Sequence, residues 1–146
     1  MRSLRYQVVR AVYHGGMLVE VLPGRFAVCR LARVDDAWPG SGNPVFVAVT
    51  PDEVSVVCAS GDVPSQAVAV EDGWAMLRVG GPLDFGLVGV IAALSATLAQ
   101  AGIPIFVTST YLTDYVMVKA DRLDDAVVAL REAGHRLTGV GQPSAE

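Results

Sequence analysis

Residues 85–119 read FGLVGVIAALSATLAQAGIPIFVTSTYLTDYVMVK, and from Phe85 to Thr113 this stretch carries no charged residue. An uncharged run of this length could span a bilayer as one helix. However, Gln100, Gly102 and Pro104 interrupt it, and the residues that follow Pro104 favour a strand. No aromatic belt or basic cluster frames the run. The stretch therefore predicts a buried helix followed by a buried strand, and no membrane association.

The flanking sequence extends this pattern in both directions. Before the stretch, Trp74 to Val79 has the pattern of a strand, and Asp84 is placed to cap the helix. After it, Asp121 is placed to cap a second helix. The helical stripes are Leu87, Ile91, Leu94 and Leu98, then Leu123, Val127 and Leu130, and the other strands are 105–110, 115–119 and 136–140. This βαββαβ order predicts an α+β, ferredoxin-like unit with an antiparallel sheet and both helices on one face.

The first half of the chain contains short strands and no full helix. Met17 to Val21 and Arg25 to Arg33 are predicted to form a hairpin around Leu22 to Gly24. Val45 to Thr50 and Val54 to Ala59 are predicted to form another. These four strands indicate a second, truncated copy of the same unit. We therefore predict a truncated unit at 16–62, a complete unit at 67–140 and a disordered tail at 141–146.

Composition restricts the class of protein. The chain has 146 residues, a net charge of -4 and 52% hydrophobic residues. This apolar content excludes intrinsic disorder for most of the chain. The acidic balance lacks the positive patch that a nucleic-acid partner requires. The N-terminus is too polar for a secretory signal, so a cytoplasmic location is predicted.

The residues that usually carry chemistry are scattered. Cys29 and Cys58 lie in separate apolar runs and are predicted to be reduced core thiols. Together with His14 and His135, they have no metal-ligand spacing, so neither a metal nor a cofactor is predicted. No nucleophile and base stand in a catalytic arrangement, and the chain is predicted not to be an enzyme.

Three local features are candidates for ligand binding. The glycine-rich junction at 80–89 would let a ligand approach the N–H groups of a helix start, although glycines also serve simple turns there. Asp114 is the first charge after the long uncharged run, and its carboxylate could face a ligand cation or cap a turn in solvent. Ser55 could offer a hydroxyl from its strand, although a solvent-facing serine is the commoner outcome.

Three segments carry a family resemblance: EVSVVC at 53–58, GWAMLRVGGPLDFGLVG at 73–89 and IFVTSTYLTDYVMV at 105–118. They resemble the bacterial tandem ACT-domain proteins related to the CASTOR-type cytosolic arginine sensors. The resemblance covers about Leu18 to Leu137 and implies two ACT-like units, the first truncated. ACT domains are regulatory modules that bind amino acids at domain interfaces, often as dimers.

The resemblance also implies a ligand site in the cleft between the two units. The matching positions are Ser55 and Val56 on a strand, Leu87, Val88, Gly89 and Val90 at the helix start, and Thr110, Tyr111, Thr113 and Asp114 at the strand turn. Asp114 matches the acidic position that faces the ligand cation. The helix start and Asp114 together would supply the anion and cation sites that an amino acid needs.

These observations favour a non-catalytic amino-acid sensor, with a free amino acid as ligand and arginine as one candidate. A homodimer and a regulated protein partner are expected with it. The alternative is a structural module that pairs with another copy through exposed sheet edges and binds no small molecule.

Overall fold

The computed structural model describes residues 16–33, 41–80 and 89–141. Within them, the strands are β1 (Leu18–Val21), β2 (Phe26–Leu31), β3 (Phe46–Val49), β4 (Val54–Ala59), β5 (Ala69–Val79), β6 (Ile105–Ser109), β7 (Asp114–Lys119) and β8 (Arg136–Thr138). The helices are α1 (Val90–Gln100) and α2 (Leu123–Glu132), with short 3-10 turns at Ser60–Asp62 and Ala120–Arg122. Of the predicted tail at 141–146, only Gly141 falls within the described residues.

All eight strands belong to one sheet, and β5 joins its two halves. The first part of β5, from Ala69 to Trp74, pairs with β2, and β2 continues to β4 and β3. The second part, from Trp74 to Arg78, pairs with β7, and β7 with β6. The predicted α+β, ferredoxin-like class is therefore confirmed, with one long strand serving both strand sets.

The predicted hairpin around Leu22 to Gly24 is wrong. Strands β1 and β2 do not pair with each other but follow one another along β5, both antiparallel to it. Strand β1 inserts between β5 and β8 and runs parallel to β8. The turn residues suit a local kink as well as a reversal, and pairing along the much longer β5 satisfies more backbone groups than a four-residue hairpin would.

Both helices pack on one face of the sheet, as predicted. The core there joins Leu94 and Leu98 of α1, Val127 and Leu130 of α2, and the sheet residues Val19, Leu77, Val79, Val116 and Val118. The stripes predicted for the two helices therefore supply the main core contacts, except for Leu87, which lies outside the described residues. No helix in the described ranges has the length and apolar character needed to cross a membrane.

The helix starts differ from the predicted caps. Helix α1 begins at Val90, with Gly89 at the N-cap in a left-handed conformation (φ 86°), and the predicted cap Asp84 lies outside the described residues. Helix α2 has Arg122 at its N-cap, and Asp121 lies in the preceding 3-10 turn. The apolar spacing of Leu87 and Ile91 fits a longer α1 equally well. However, Gly89 adopts a left-handed conformation that a right-handed helix cannot contain, so α1 begins after it.

The opposite face of the sheet carries a second core built from aromatic and sulfur-containing side chains. Met76 and Met117 are fully buried there, surrounded by Phe26, Val57, Phe46, Trp74, Phe106 and Tyr115. The rings of Phe46 on β3 and Tyr115 on β7 meet edge to face, with centroids 4.9 Å apart. Because three strands separate β3 from β7, this contact shows that the sheet curls and brings its β3 end over β7.

The two strand sets are internal repeats. The Thr50 N–H donates to the Glu53 carbonyl at 2.9 Å, and the Thr110 N–H donates to the Thr113 carbonyl at the same distance, 60 residues later. In both places an antiparallel pair of strands surrounds the turn, and a 3-10 turn follows. The first repeat has no α-helix among the described residues. The division of the chain into a truncated and a complete unit stays a prediction.

His135 is expected to make the stability depend on pH. Its side chain is buried, and its Nδ1 accepts a hydrogen bond from the Met17 N–H at 3.1 Å. Burial lowers the pKa of this imidazole, so the folded protein disfavours the charged form. The unfolded chain takes up a proton near the usual value of about 6.5. Stability is therefore expected to fall as the pH drops below that value.

Urea unfolding at pH 7.5 and pH 5.5 measures this effect. The variant His135→Gln carries an acceptor oxygen but does not titrate, so its stability is expected to change less between the two conditions. Equal pH dependence in the parent and the variant would show that another group is responsible.

Candidate functional site

The end of β5, the start of α1 and the β6–β7 turn lie at the same end of the sheet. Strand β5 ends at Val79, antiparallel β7 begins beside it, and β6 leads into the turn from the far side of β7. The last residues of α1 lie at the opposite end, because the Arg122 guanidinium, just after β7, donates to the Gly102 carbonyl at 3.4 Å. Helix α1 therefore runs back along β5, and its first residues start at this end too. Of the predicted site residues, Gly89, Thr110, Tyr111, Thr113 and Asp114 are therefore grouped here.

Thr113 fixes the turn to the end of β5. Its hydroxyl donates to the Val79 carbonyl at 2.7 Å, and the residue is only 6% exposed. The turn is closed by the backbone bond between Thr110 and Thr113 and by the Thr110 hydroxyl, which donates to the Thr113 carbonyl at 3.3 Å. A buried hydroxyl that already donates to the backbone is well suited to positioning the turn.

Asp114 is held by a neighbouring hydroxyl. The Ser109 Oγ donates to the Asp114 Oδ1 at 2.5 Å across the hairpin, where the two residues are paired. Asp114 is half-buried, and the hydrogen bond from Ser109 orients its carboxylate. The carboxylate oxygens can accept further hydrogen bonds. The site residues predicted from the sequence include Asp114 but not Ser109. The signal was present, because residues on either side of a four-residue turn face each other in a hairpin.

The tip of the turn projects outwards. Tyr111 is 79% exposed and Leu112 is 59% exposed. Two large apolar side chains at a loop tip can cover a ligand or contact another protein.

The start of α1 contributes backbone donors. Gly89 has no side chain with which to accept from the first-turn N–H groups, and its carbonyl accepts from Ala93 at 3.0 Å. Uncapped N–H groups at a helix start favour an anionic group such as a carboxylate. Val90 points into the helix-side core and is 6% exposed, so its side chain does not line a surface site. Leu87 and Val88 lie outside the described residues.

Ser55 and Val56 lie on opposite faces of β4. Val56 is fully buried in the core of the first repeat with Cys29, Leu31 and Cys58, so its side chain does not line a surface cleft. Ser55 is half-buried and alternates with Val57, which belongs to the aromatic core. The curl of the sheet therefore turns the face of β4 that carries Ser55 towards β7.

The cysteines have the properties of structural residues. Both are buried free thiols in the core of the first repeat. Burial and the neighbouring Cys29 raise the pKa of Cys58 to about 12, and burial raises the pKa of Cys29 too. Such thiols are poor nucleophiles at neutral pH. Across the described ranges, no three His, Cys, Asp or Glu side chains come together as a metal site.

Comparison with known proteins agrees with this architecture. The family model described as the ACT domain matches residues 69–132. This segment runs from the first residue of β5 to the last residue of α2. The fold of the chain is that of ACT domains, and the matched segment contains the whole of the shared strand.

Solved structures give the same result over more of the chain. A protein from Agobacterium tumefaciens is 28% identical, with a TM-score of 0.79 over 90% of this chain and 98% of that one. A Vibrio cholerae protein of unknown function, described as a possible transport protein, is 21% identical, with a TM-score of 0.66 over 88% and 98%. The ligand-free regulatory subunit of aspartate kinase from Thermus thermophilus is 12% identical, with a TM-score of 0.54 over 79% and 95%. The fold therefore also occurs in a regulatory subunit.

Proposed function

We propose that this protein is a non-catalytic regulator that binds a free amino acid at the end of β5. The observation that carries the proposal is the placement of Asp114 and the start of α1 at the same end of the sheet. A carboxylate held by Ser109 suits an ammonium or guanidinium group. The backbone donors of α1 suit the ligand carboxylate.

The ACT match supports the regulatory part of the proposal. It covers the strand, helix and turn that carry these groups. Arginine is one candidate ligand, because the sequence resembles the arginine sensors and Asp114 lies at their acidic position. Binding between the two repeats would change how the protein associates with a second copy or with a regulated partner, if the ligand has different affinities for the two states.

The first test is a thermal-shift screen with the twenty amino acids. A ligand present at 100 times its Kd stabilises the folded protein by about 2.7 kcal/mol. A shift with one amino acid, or with one chemical group of them, is the expected result. No shift with any amino acid would favour the alternative of a structural module without a small-molecule ligand.

Asp114→Asn is expected to weaken binding of the amino acid identified by the screen. The substitution keeps the shape and the hydrogen bond from Ser109 but removes the charge that faces the ligand cation. Charge-assisted hydrogen bonds contribute about 1.5–3 kcal/mol, so affinity should fall by roughly one to two orders of magnitude. Calorimetric titration measures this loss.

The control is Asp52→Asn, which changes an exposed carboxylate in the repeat-related turn of the first unit. Its affinity should match that of the parent. Binding by Asp114→Asn as tight as in the parent would remove Asp114 from the site, even if the screen identified a ligand.

A further inference from the structure

Strand β3 forms one end of the sheet, and its outer edge is free within the part of the chain that the structure describes. Its inner edge pairs with β4, and no strand among residues 16–33, 41–80 and 89–141 pairs with its outer edge. The run from Val45 to Thr50 reads VFVAVT and contains no charged residue. An apolar, uncharged edge strand is a template for pairing with another strand unless the protein protects it.

The register identifies which backbone groups face outwards. Thr50 donates its N–H to Glu53 on the β4 side of the hairpin. Inward and outward groups alternate along an antiparallel strand, so the N–H and C=O groups of Ala48 also face β4. The corresponding groups of Val47 and Val49 face outwards. The free edge therefore presents two N–H donors and two C=O acceptors in regular strand spacing.

The side chains of β3 favour association. Val47 is 44% exposed and Val49 is 57% exposed, and they lie on the same face as buried Val54 and Val56 of β4. The edge strand of the second repeat is β6, which follows β3 by 60 residues. Thr108 and Ser109 of β6 correspond to Ala48 and Val49 of β3. The first repeat thus lacks the polar residues that its counterpart carries at the edge.

We propose that two copies of this chain associate through β3, antiparallel, about a twofold axis at Ala48. In this register Val47 pairs with the partner's Val49, and Val49 with the partner's Val47. Both are outward-facing pairs, so four backbone hydrogen bonds form. Ala48 meets its own copy at the axis, where side chains approach closely and a small residue fits. The four valines form one apolar cluster on a single face.

Charge favours this antiparallel arrangement over a parallel one. Asp52 and Glu53 follow directly after β3. Antiparallel pairing about Ala48 places the acidic turns of the two copies at opposite ends of the interface and brings Asp52 level with the partner's Pro44. A parallel pairing would set the acidic turns of the two copies side by side, which is unfavourable for like charges. A second copy therefore meets the hydrogen-bonding, apolar and charge requirements of this edge.

Sedimentation of the full chain at rising concentrations, without added amino acid, tests the proposal. A dimer is expected for the parent. The double variant Val47→Lys, Val49→Lys places lysines opposite lysines at the axis and should raise the dimer dissociation constant by about tenfold or more. The matched control is Val128→Lys, on the exposed side of α2, where the valine is 54% exposed and the dimer should be unaffected.

Amide exchange in the parent protein gives a second readout that needs no variant. The N–H groups of Val47 and Val49 do not face β4, so they should exchange rapidly in dilute monomer and slowly at concentrations where the dimer forms. Three results would overturn the proposal: a monomer at every concentration, a dimer unaffected by the paired lysines, or concentration-independent exchange at both amides. Because no ligand is present, these results are separate from those of the amino-acid screen.

Discussion

Replacing Gly139 with alanine is expected to destabilise the protein by about 3 kcal/mol or more. Gly139 follows β8 with φ +76°, a conformation that costs an ordinary L-residue about 1–2 kcal/mol. In addition, a Cβ at this position would lie 2.2 Å from the backbone carbonyl oxygen of Val21 on β1. Because the obstacle is backbone, a side-chain rotation cannot relieve the overlap, and overpacking of this kind costs roughly 1–3 kcal/mol.

The matched control is Gly24→Ala. Gly24 has a similar φ of +88°, but a Cβ there meets no atom of the described residues within 4 Å. The stability that Gly24→Ala loses should be limited to the backbone strain of about 1–2 kcal/mol. Urea unfolding of both variants separates the two effects. Equal losses would mean that β1 and β8 do not approach each other as closely as the structure shows.

The second large effect is expected from Leu98→Ala. Leu98 is fully buried in the core between α1, α2 and the sheet. Removing a side chain from such a site leaves a cavity, and losses of about 2–5 kcal/mol are typical. Because β5 joins both repeats in one sheet, we expect unfolding to remain a single transition at lower urea concentration.

Far-UV circular dichroism and tryptophan fluorescence, recorded on the same urea titration, measure both the stability loss and the number of transitions. The control is Val128→Ala on the exposed side of α2, which should change stability by no more than about 0.5 kcal/mol. If Leu98→Ala instead unfolded in two steps, with the two probes separated, the repeats would be independent folding units and the shared strand would not couple them.

The sequence predicted the elements that depend on local pattern. The β6–turn–β7 hairpin, the β3–turn–β4 hairpin and the stripe of α2 all lie where periodicity and turn residues placed them. The position of β1 could not be read in the same way. Its pairing with β8 links residues more than 100 positions apart, and a single sequence carries no local signal for such a contact.

In the candidate site, too, local features could be predicted from the sequence and tertiary contacts could not. Asp114 and its turn stand out in the sequence because they end a long uncharged run. The roles of neighbouring side chains depend on tertiary contacts. Thr113 is committed to the Val79 carbonyl, and Val56 is enclosed in a core, although both match the family pattern as ligand contacts. Whether a residue faces a cleft or a core is decided by the curl of the sheet, which the strand pattern alone does not contain.

The strand that serves both repeats also constrains how this protein can be cut, fused or exchanged. A gene boundary placed between residues 69 and 79 would deprive each product of part of a strand that it needs. A boundary on either side would give β5 to one product and leave an unpaired edge on the other. We therefore expect that neither repeat can be moved separately into another protein without a replacement strand. An engineered transfer of this fold is therefore expected to need β5 together with both strand sets.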